Sequence, residues 1–190
     1  MKTDELLRRY TAGERNFSGI NLTGAKLTGS NLRGADLSGA ILEKTDFFLI
    51  RKSFWFSGKS PDLRGVNLTR ASLHMADLSF ANLKKANLRE AKLTDVDLAH
   101  ANLIDANLVG AELSGAALSY ANLSRATLAG AKLDETVLYE ANLSGADLRR
   151  VNLRRAKLIK ANLIGANLSG ADLTEANLSG ARMPDGTIHD

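Results

Sequence analysis

The sequence predicts an all-β solenoid preceded by a short helix. Three observations carry this: leucine recurs every five residues, a small residue stands two before nearly every leucine, and Asn or Asp commonly fills the place between. From Leu63 to Met183 the repeat runs for twenty-five units, with leucine central in all but the last and alanine two before it in twenty. Period five matches neither a helix at 3.6 nor a strand at 2.0. A helix would scatter successive leucines around its cylinder, whereas two residues two apart on a short extended segment share one face. The Asn/Asp and the following Ser, Thr or Gly then belong to turns, where short polar side chains bond nearby backbone. Such a unit buries its leucine only by stacking on copies of itself.

The chain opens with "TDELLRRYTAG". Acids come first, arginines last, and Gly13 follows, so a helix over 3–12 is expected, capped by Thr3 or Asp4 and serving as a lid on the first coil. A short block of repeats occupies 15–47, centred on Phe17, Leu22, Leu27, Leu32, Leu37, Leu42 and Phe47. The long block fills 61–185, and "MPDGTIHD" ends it with Pro184 and Gly186, a turn signature before a tail at 186–190. All of this belongs to one domain of 190 residues.

The units "ADLSF", "ANLKK" and "ANLRE" resemble those of the pentapeptide-repeat family, whose consensus is close to A(D/N)LSG, and the match covers roughly 15–185. The resemblance implies a right-handed quadrilateral β-helix in which each pentapeptide forms one side and four form a coil. The start and the ending are similar to those of small cyanobacterial members of unknown function. Charge at spacing twenty agrees with four units per coil. Nine outward pairs in the long block are opposite in sign, among them Arg70/Glu90, Lys85/Asp105 and Glu135/Arg155; only Arg64/Lys84 and Asp77/Asp97 are alike. At one strand spacing per coil, the long block is a rod of roughly 30 Å.

Between the blocks lies "FFLIRKSFWFSGKS", with five of the ten aromatic residues. Centres 47 and 63 are sixteen apart, five plus eleven, so an inserted loop over 48–60 is expected. Two readings stay open for Phe48, Arg51, Lys52, Phe54, Trp55, Phe56 and Lys59: packing on an outer side of the coil or against the helix, or a docking loop with an aromatic anchor ringed by cations. Its "SGKS" ending lacks the first glycine and the following helix of a phosphate-binding loop, so no nucleotide cofactor is expected.

One side of the long block is less polar. Phe80, His100 and Tyr120 fall at matching places on successive coils, with Val137, Tyr139 and Ile159 nearby, which reads either as an interaction side or as local stacking. The run Arg149, Arg150, Arg154, Arg155, Lys157 and Lys160 reads either as a band balanced by acids on neighbouring coils or as an anion-binding patch.

Composition narrows the function. There is no cysteine, and the three histidines have no metal-ligand spacing, so no metal site is expected. No run reaches the ~18 apolar residues of a membrane span, and the charged start is not a secretory signal, so a cytoplasmic protein is expected. A net charge of +4, most of it in the first sixty residues, falls short of the basic patch expected for nucleic-acid binding. Convex polar sides disfavour an enzyme. The expectation is a non-enzymatic interaction or scaffold protein for an unknown protein partner, with self-association open. The resemblance offers one alternative: a DNA mimic that modulates DNA gyrase, as the quinolone-resistance pentapeptide proteins do, against which the positive charge argues.

Overall fold

A computed structural model describes residues 1–27, 30–45 and 60–190. The residue before each central leucine pairs in parallel with the residue twenty further on, from Asp62↔Asn82 through Asn162↔Arg182. Four pentapeptides therefore complete one turn, and the chain winds as a four-sided solenoid. Each side contributes a single bridged residue, so among the described residues the sides are isolated bridges and not extended strands.

Backbone accounting explains the five-residue unit. In the unit around Leu78, Asp77 N donates to Thr45 O (3.1 Å), Leu78 N to Asp97 O (2.8 Å) and Phe80 N to Ala99 O (2.8 Å). Ala81 N closes the turn onto Leu78 O (3.0 Å). Ser79 N, which faces the turn, goes to the Asp77 carboxylate at 3.0 Å. All five N–H groups of a unit thus find acceptors, four of them on backbone, and the Asn/Asp preference is the fifth. The second residue after each leucine is left-handed, with φ between 52° and 72° in the repeats. Glycine takes that conformation without strain, yet seventeen described non-glycine residues adopt it.

Leucine and alanine fill the interior. Leu78, Leu98, Leu118 and Leu138 are fully buried in one stacked row. Thr136, one of the exceptions to alanine, is fully buried with its hydroxyl donating to Leu133 O at 2.7 Å.

The two blocks form one continuous stack. Asn31, Asp36 and Ile41 pair with Asp62, Asn67 and Ser72, each thirty-one residues on, which is one turn plus eleven. The eleven-residue excess enters between Thr45 and Pro61. The inserted-loop expectation for 48–60 lies, up to residue 59, outside the described residues.

The helix α1 (Thr3–Thr11) closes the first end. Leu6 is fully buried, Leu7 and Tyr10 pack on the core, and the Tyr10 hydroxyl donates to Arg33 O at 2.8 Å. The helix starts at Thr3 as expected, but the expected cap at Thr3 or Asp4 is corrected: the capping position falls on Lys2, which offers no capping side chain. The amino terminus donates to Asn21 O at 3.0 Å and fixes the entry there instead. Asp4 and Glu5 still face the positive end of the helix, and Arg8 and Arg9 the negative end.

The far end is covered differently. Residues 186–190 fold back as a hairpin through Arg182↔Ile188, with His189 N donating to Ala181 O at 2.8 Å. This covers one side only. Leu168, Leu173, Leu178 and Met183 of the last coil are partly exposed, whereas the first-coil residues Phe17, Leu22 and Leu27 are buried under α1.

Candidate interaction surface

The side centred on Leu78, Leu98, Leu118 and Leu138 carries the less polar residues, on three columns. Phe80, His100 and Tyr120 occupy the left-handed place at its corner (φ 59°, 60° and 61°). Tyr139 and Ile159 stand one place earlier in their units, and Val137 stands at a bridged place between Ala117 and Lys157.

The corner residues stack. Phe80 and His100 lie 4.6 Å apart at 9°, and His100 and Tyr120 4.9 Å apart at 5°. Those separations are the coil-to-coil spacing, since each backbone is bonded to the next (Phe80 N to Ala99 O, His100 N to Ser119 O). The next residue in the column is Glu140, so Tyr139 closes the row from the side. Its ring meets Tyr120 edge-on at 5.5 Å and 79°. The neighbouring Glu140 carboxylate pushes the Tyr139 pKa up from its ordinary value, chiefly by hydrogen bonding to the neutral phenol. Tyr120 is about half exposed, at 47%.

Charges flank the row. Asp77 and Asp97, the like-charged pair seen in the sequence, lie directly across from each other. Each is engaged locally: Asp77 accepts from Ser79 N and Oγ (3.0 and 2.7 Å), and Asp97 from Ala99 N (2.9 Å). Lys157 and Lys160 lie at the other end of the side, and Lys160 approaches Glu140 at 3.9 Å.

The residues expected in a docking loop, Phe48, Arg51, Lys52, Phe54, Trp55, Phe56 and Lys59, lie outside the described residues. Four of the six cations of the arginine run are paired with acids, and Arg150 and Lys157 take part in no ion pair within 4.0 Å among the described residues. Arg149 forks onto Asp147 (2.8 and 2.7 Å), Arg155 sits between Glu135 (3.5 Å) and Glu175 (2.9 Å), and Arg154 reaches Asp172 (3.5 Å).

Six of the nine opposite-charge pairs expected at spacing twenty form: Arg70–Glu90, Asp105–Arg125, Glu112–Lys132, Glu135–Arg155, Arg155–Glu175 and Glu140–Lys160. The other three are corrected by competition. Asp105 takes the two-pronged Arg125 (2.8 and 3.1 Å) over Lys85, Glu112 takes Lys132 over Lys92, and Asp134 accepts from Ser114 Oγ (2.8 Å) while Arg154 turns to Asp172. Arginine neighbours hold the Glu90, Asp105 and Glu175 carboxyls below their ordinary pKa, chiefly by hydrogen bonding. His74 Nδ1 bonds Thr94 O at 3.0 Å.

The family model for pentapeptide repeats matches residues 16–48, 81–119, 116–155 and 152–185. The chain belongs to the pentapeptide-repeat family. A solved structure similar to it is HetL from the cyanobacterium Nostoc sp. strain PCC 7120, described as involved in heterocyst differentiation regulation. It is 38% identical, with each chain covered in full and a TM-score of 0.28. Rfr23 from the cyanobacterium Cyanothece 51142 is 27% identical over 99% of each chain, at a TM-score of 0.30. Full-length QnrB1, a plasmid-mediated fluoroquinolone resistance protein, is 21% identical over 84% of each chain, at a TM-score of 0.53, and shares the fold. No curated protein matches the sequence. No helix among the described residues is long and apolar enough to cross a membrane.

Proposed function

We propose that this pentapeptide-repeat protein is a non-enzymatic, cytoplasmic scaffold, a right-handed quadrilateral β-helix that binds a protein partner through its aromatic corner. One observation carries the reading: three rings, of Phe80, His100 and Tyr120, are held at a place where glycine alone is free of strain. A left-handed conformation costs an ordinary residue roughly 1–2 kcal/mol, and bulky residues there are outliers. Stacking offsets part of that cost, at ~0.5–1.5 kcal/mol per aromatic pair, yet Tyr120 still presents half its surface to solvent. Rigid aromatic surface on a fixed backbone is the composition that anchors interfaces. Val137, Tyr139 and Ile159 widen the surface, and Asp77, Asp97 and Lys157 supply a charged margin. The 48–60 segment, with Phe54, Trp55 and Phe56 among Arg51, Lys52 and Lys59, is the second docking element of the proposal. Pentapeptide-repeat proteins are in general structural or interaction proteins, which supports the non-catalytic part.

The alternative, DNA mimicry toward gyrase, needs an acidic outer surface. The fold shared with QnrB1 favours it, and the net charge of +4 opposes it. Two assays separate the readings. Affinity capture from an extract of the source cell should recover a partner with the wild-type chain and lose it with Phe80→Gly/His100→Gly/Tyr120→Gly, a replacement the backbone accepts. Equal capture by both chains would sink the aromatic-corner reading. Inhibition of gyrase supercoiling at stoichiometric protein would restore mimicry.

A further inference from the structure

We propose that Arg33, Arg64, Lys84 and Lys85 form a binding row for an oligophosphate, on a corner separate from the aromatic one. Arg33, Arg64 and Lys84 each directly follow a central leucine, and they lie on three successive coils. The backbone demonstrates the register: Gly34 N donates to Arg64 O and Gly65 N to Lys84 O, both at 3.0 Å. Three cations thus stack at the spacing of one coil, and Lys85 stands beside the third.

The arrangement departs from most of the rod, where Asp77 over Asp97 is the other stacked pair of like charge. Elsewhere, stacked positions place arginine over glutamate or aspartate, as in Arg70–Glu90 and Arg125–Asp105. Here like charges directly opposite repel. The two acids within reach leave most of the charge free. Asp62 is engaged by the Arg64 fork (2.8 and 2.6 Å), and Asp105 by the Arg125 fork. Among the described residues, Arg33, Lys84 and Lys85 take part in no ion pair within 4.0 Å. Gly34 and Gly65 leave room beside the cations, and Arg33, Arg64, Gly65, Lys84 and Lys85 line a hollow of ≈ 290 Å³.

Spacing and charge density identify the ligand class. Arg33 to Lys84 covers two coil steps, ~10 Å. An extended acidic peptide presents a carboxylate to one face only every ~6.7 Å, so it meets the row at two points at most. A linear phosphate anhydride puts a charge on every phosphoryl group along the same length, and both Lys and Arg are phosphate ligands. Single-stranded nucleic acid wants aromatic stacking platforms along its path. The turn residues of this corner from 33 to 125 carry no ring, the Tyr10 ring bonded to Arg33 O has the Arg15 guanidinium over its face at 3.9 Å, and Ile104 and Asp105 end the basic run.

Calorimetric titration of the full chain with inorganic tripolyphosphate tests the site. Saturable binding is expected, tighter than for orthophosphate, and weakened about tenfold by Arg33→Ala and again by Lys84→Ala, the loss of roughly one charge-assisted contact each. Arg149→Ala/Arg150→Ala should bind as the wild type does. Absence of saturable heat, an unchanged Lys84→Ala affinity, or an equal loss in the Arg149/Arg150 variant would each overturn the proposal. So would tighter binding of an oligoglutamate or a single-stranded oligonucleotide. Melting gives an independent reading: without ligand, Lys84→Ala should melt higher than the wild type, because one repulsion is removed. With tripolyphosphate, only the wild type should gain. A Lys84→Ala chain that melts lower overturns the repulsion on which the site rests.

Discussion

Replacing His100 by alanine and, separately, by glycine distinguishes the backbone from the ring. The imidazole is sandwiched between Phe80 at 4.6 Å and Tyr120 at 4.9 Å, so either change removes two stacked contacts. At ~0.5–1.5 kcal/mol per contact this costs about 2 kcal/mol. Alanine keeps the left-handed penalty of φ 60°. Glycine relieves it by ~1–2 kcal/mol and gives back ~0.4–1 kcal/mol through the freer unfolded chain. His100→Gly should therefore be more stable than His100→Ala by roughly 1 kcal/mol, or about 2–4 °C in melting midpoint for a chain of this size. In an ordinary strand or helix the order is reversed, with glycine the worse by ~0.5–1 kcal/mol. Urea unfolding at constant m value reads the difference as a shift in midpoint. Glycine less stable than alanine would refute the left-handed corner. A His100→Ala chain as stable as the wild type would show that the rings do not hold each other.

Two further outcomes follow from the geometry. Leu118→Ala, in a fully buried mid-rod row, should cost ~3–5 kcal/mol in urea unfolding, and Leu173→Ala, in the part-exposed last coil, less than half of that; equal losses would contradict the uneven closure of the two ends. Arg125 lowers the folded-state pKa of Asp105, so that contribution is present above the unfolded value near ~3.9 and lost as pH falls through the folded one. The stability gap between the wild type and Arg125→Ala should then close below about pH 4, and a gap that persists to pH 2 would dismiss the pair.

Most of the rod was legible because its rule is arithmetic. Leu78 buried and Phe80 half-buried at the outer corner follow from position within five, and Phe80, His100 and Tyr120 were found as a column by adding twenty. The helix was visible in "TDELLRRYTAG", down to its start at Thr3, but its cap was not, since the amino terminus docks on Asn21, a contact no local pattern encodes. Ion pairs were legible only as options. Asp105 has Lys85 on one side and Arg125 on the other, and the planar fork wins. The least visible feature was Arg33 above Arg64. They are thirty-one apart, so adding twenty does not bring them together. Only the pairing of Asn31 with Asp62 reveals that three cations stack.

That junction also changes what the rod can tolerate. Asp36 pairs with Asn67 and Ile41 with Ser72 as though the intervening eleven residues were not counted. The ladder therefore requires only that the chain re-enter one side on from where it left, and closure entropy rises slowly with the length between. Thr45 and Pro61 bound the place where the ladder's spacing of twenty becomes thirty-one. Segments of differing length grafted there should leave Asn31, Asp36 and Ile41 paired with Asp62, Asn67 and Ser72.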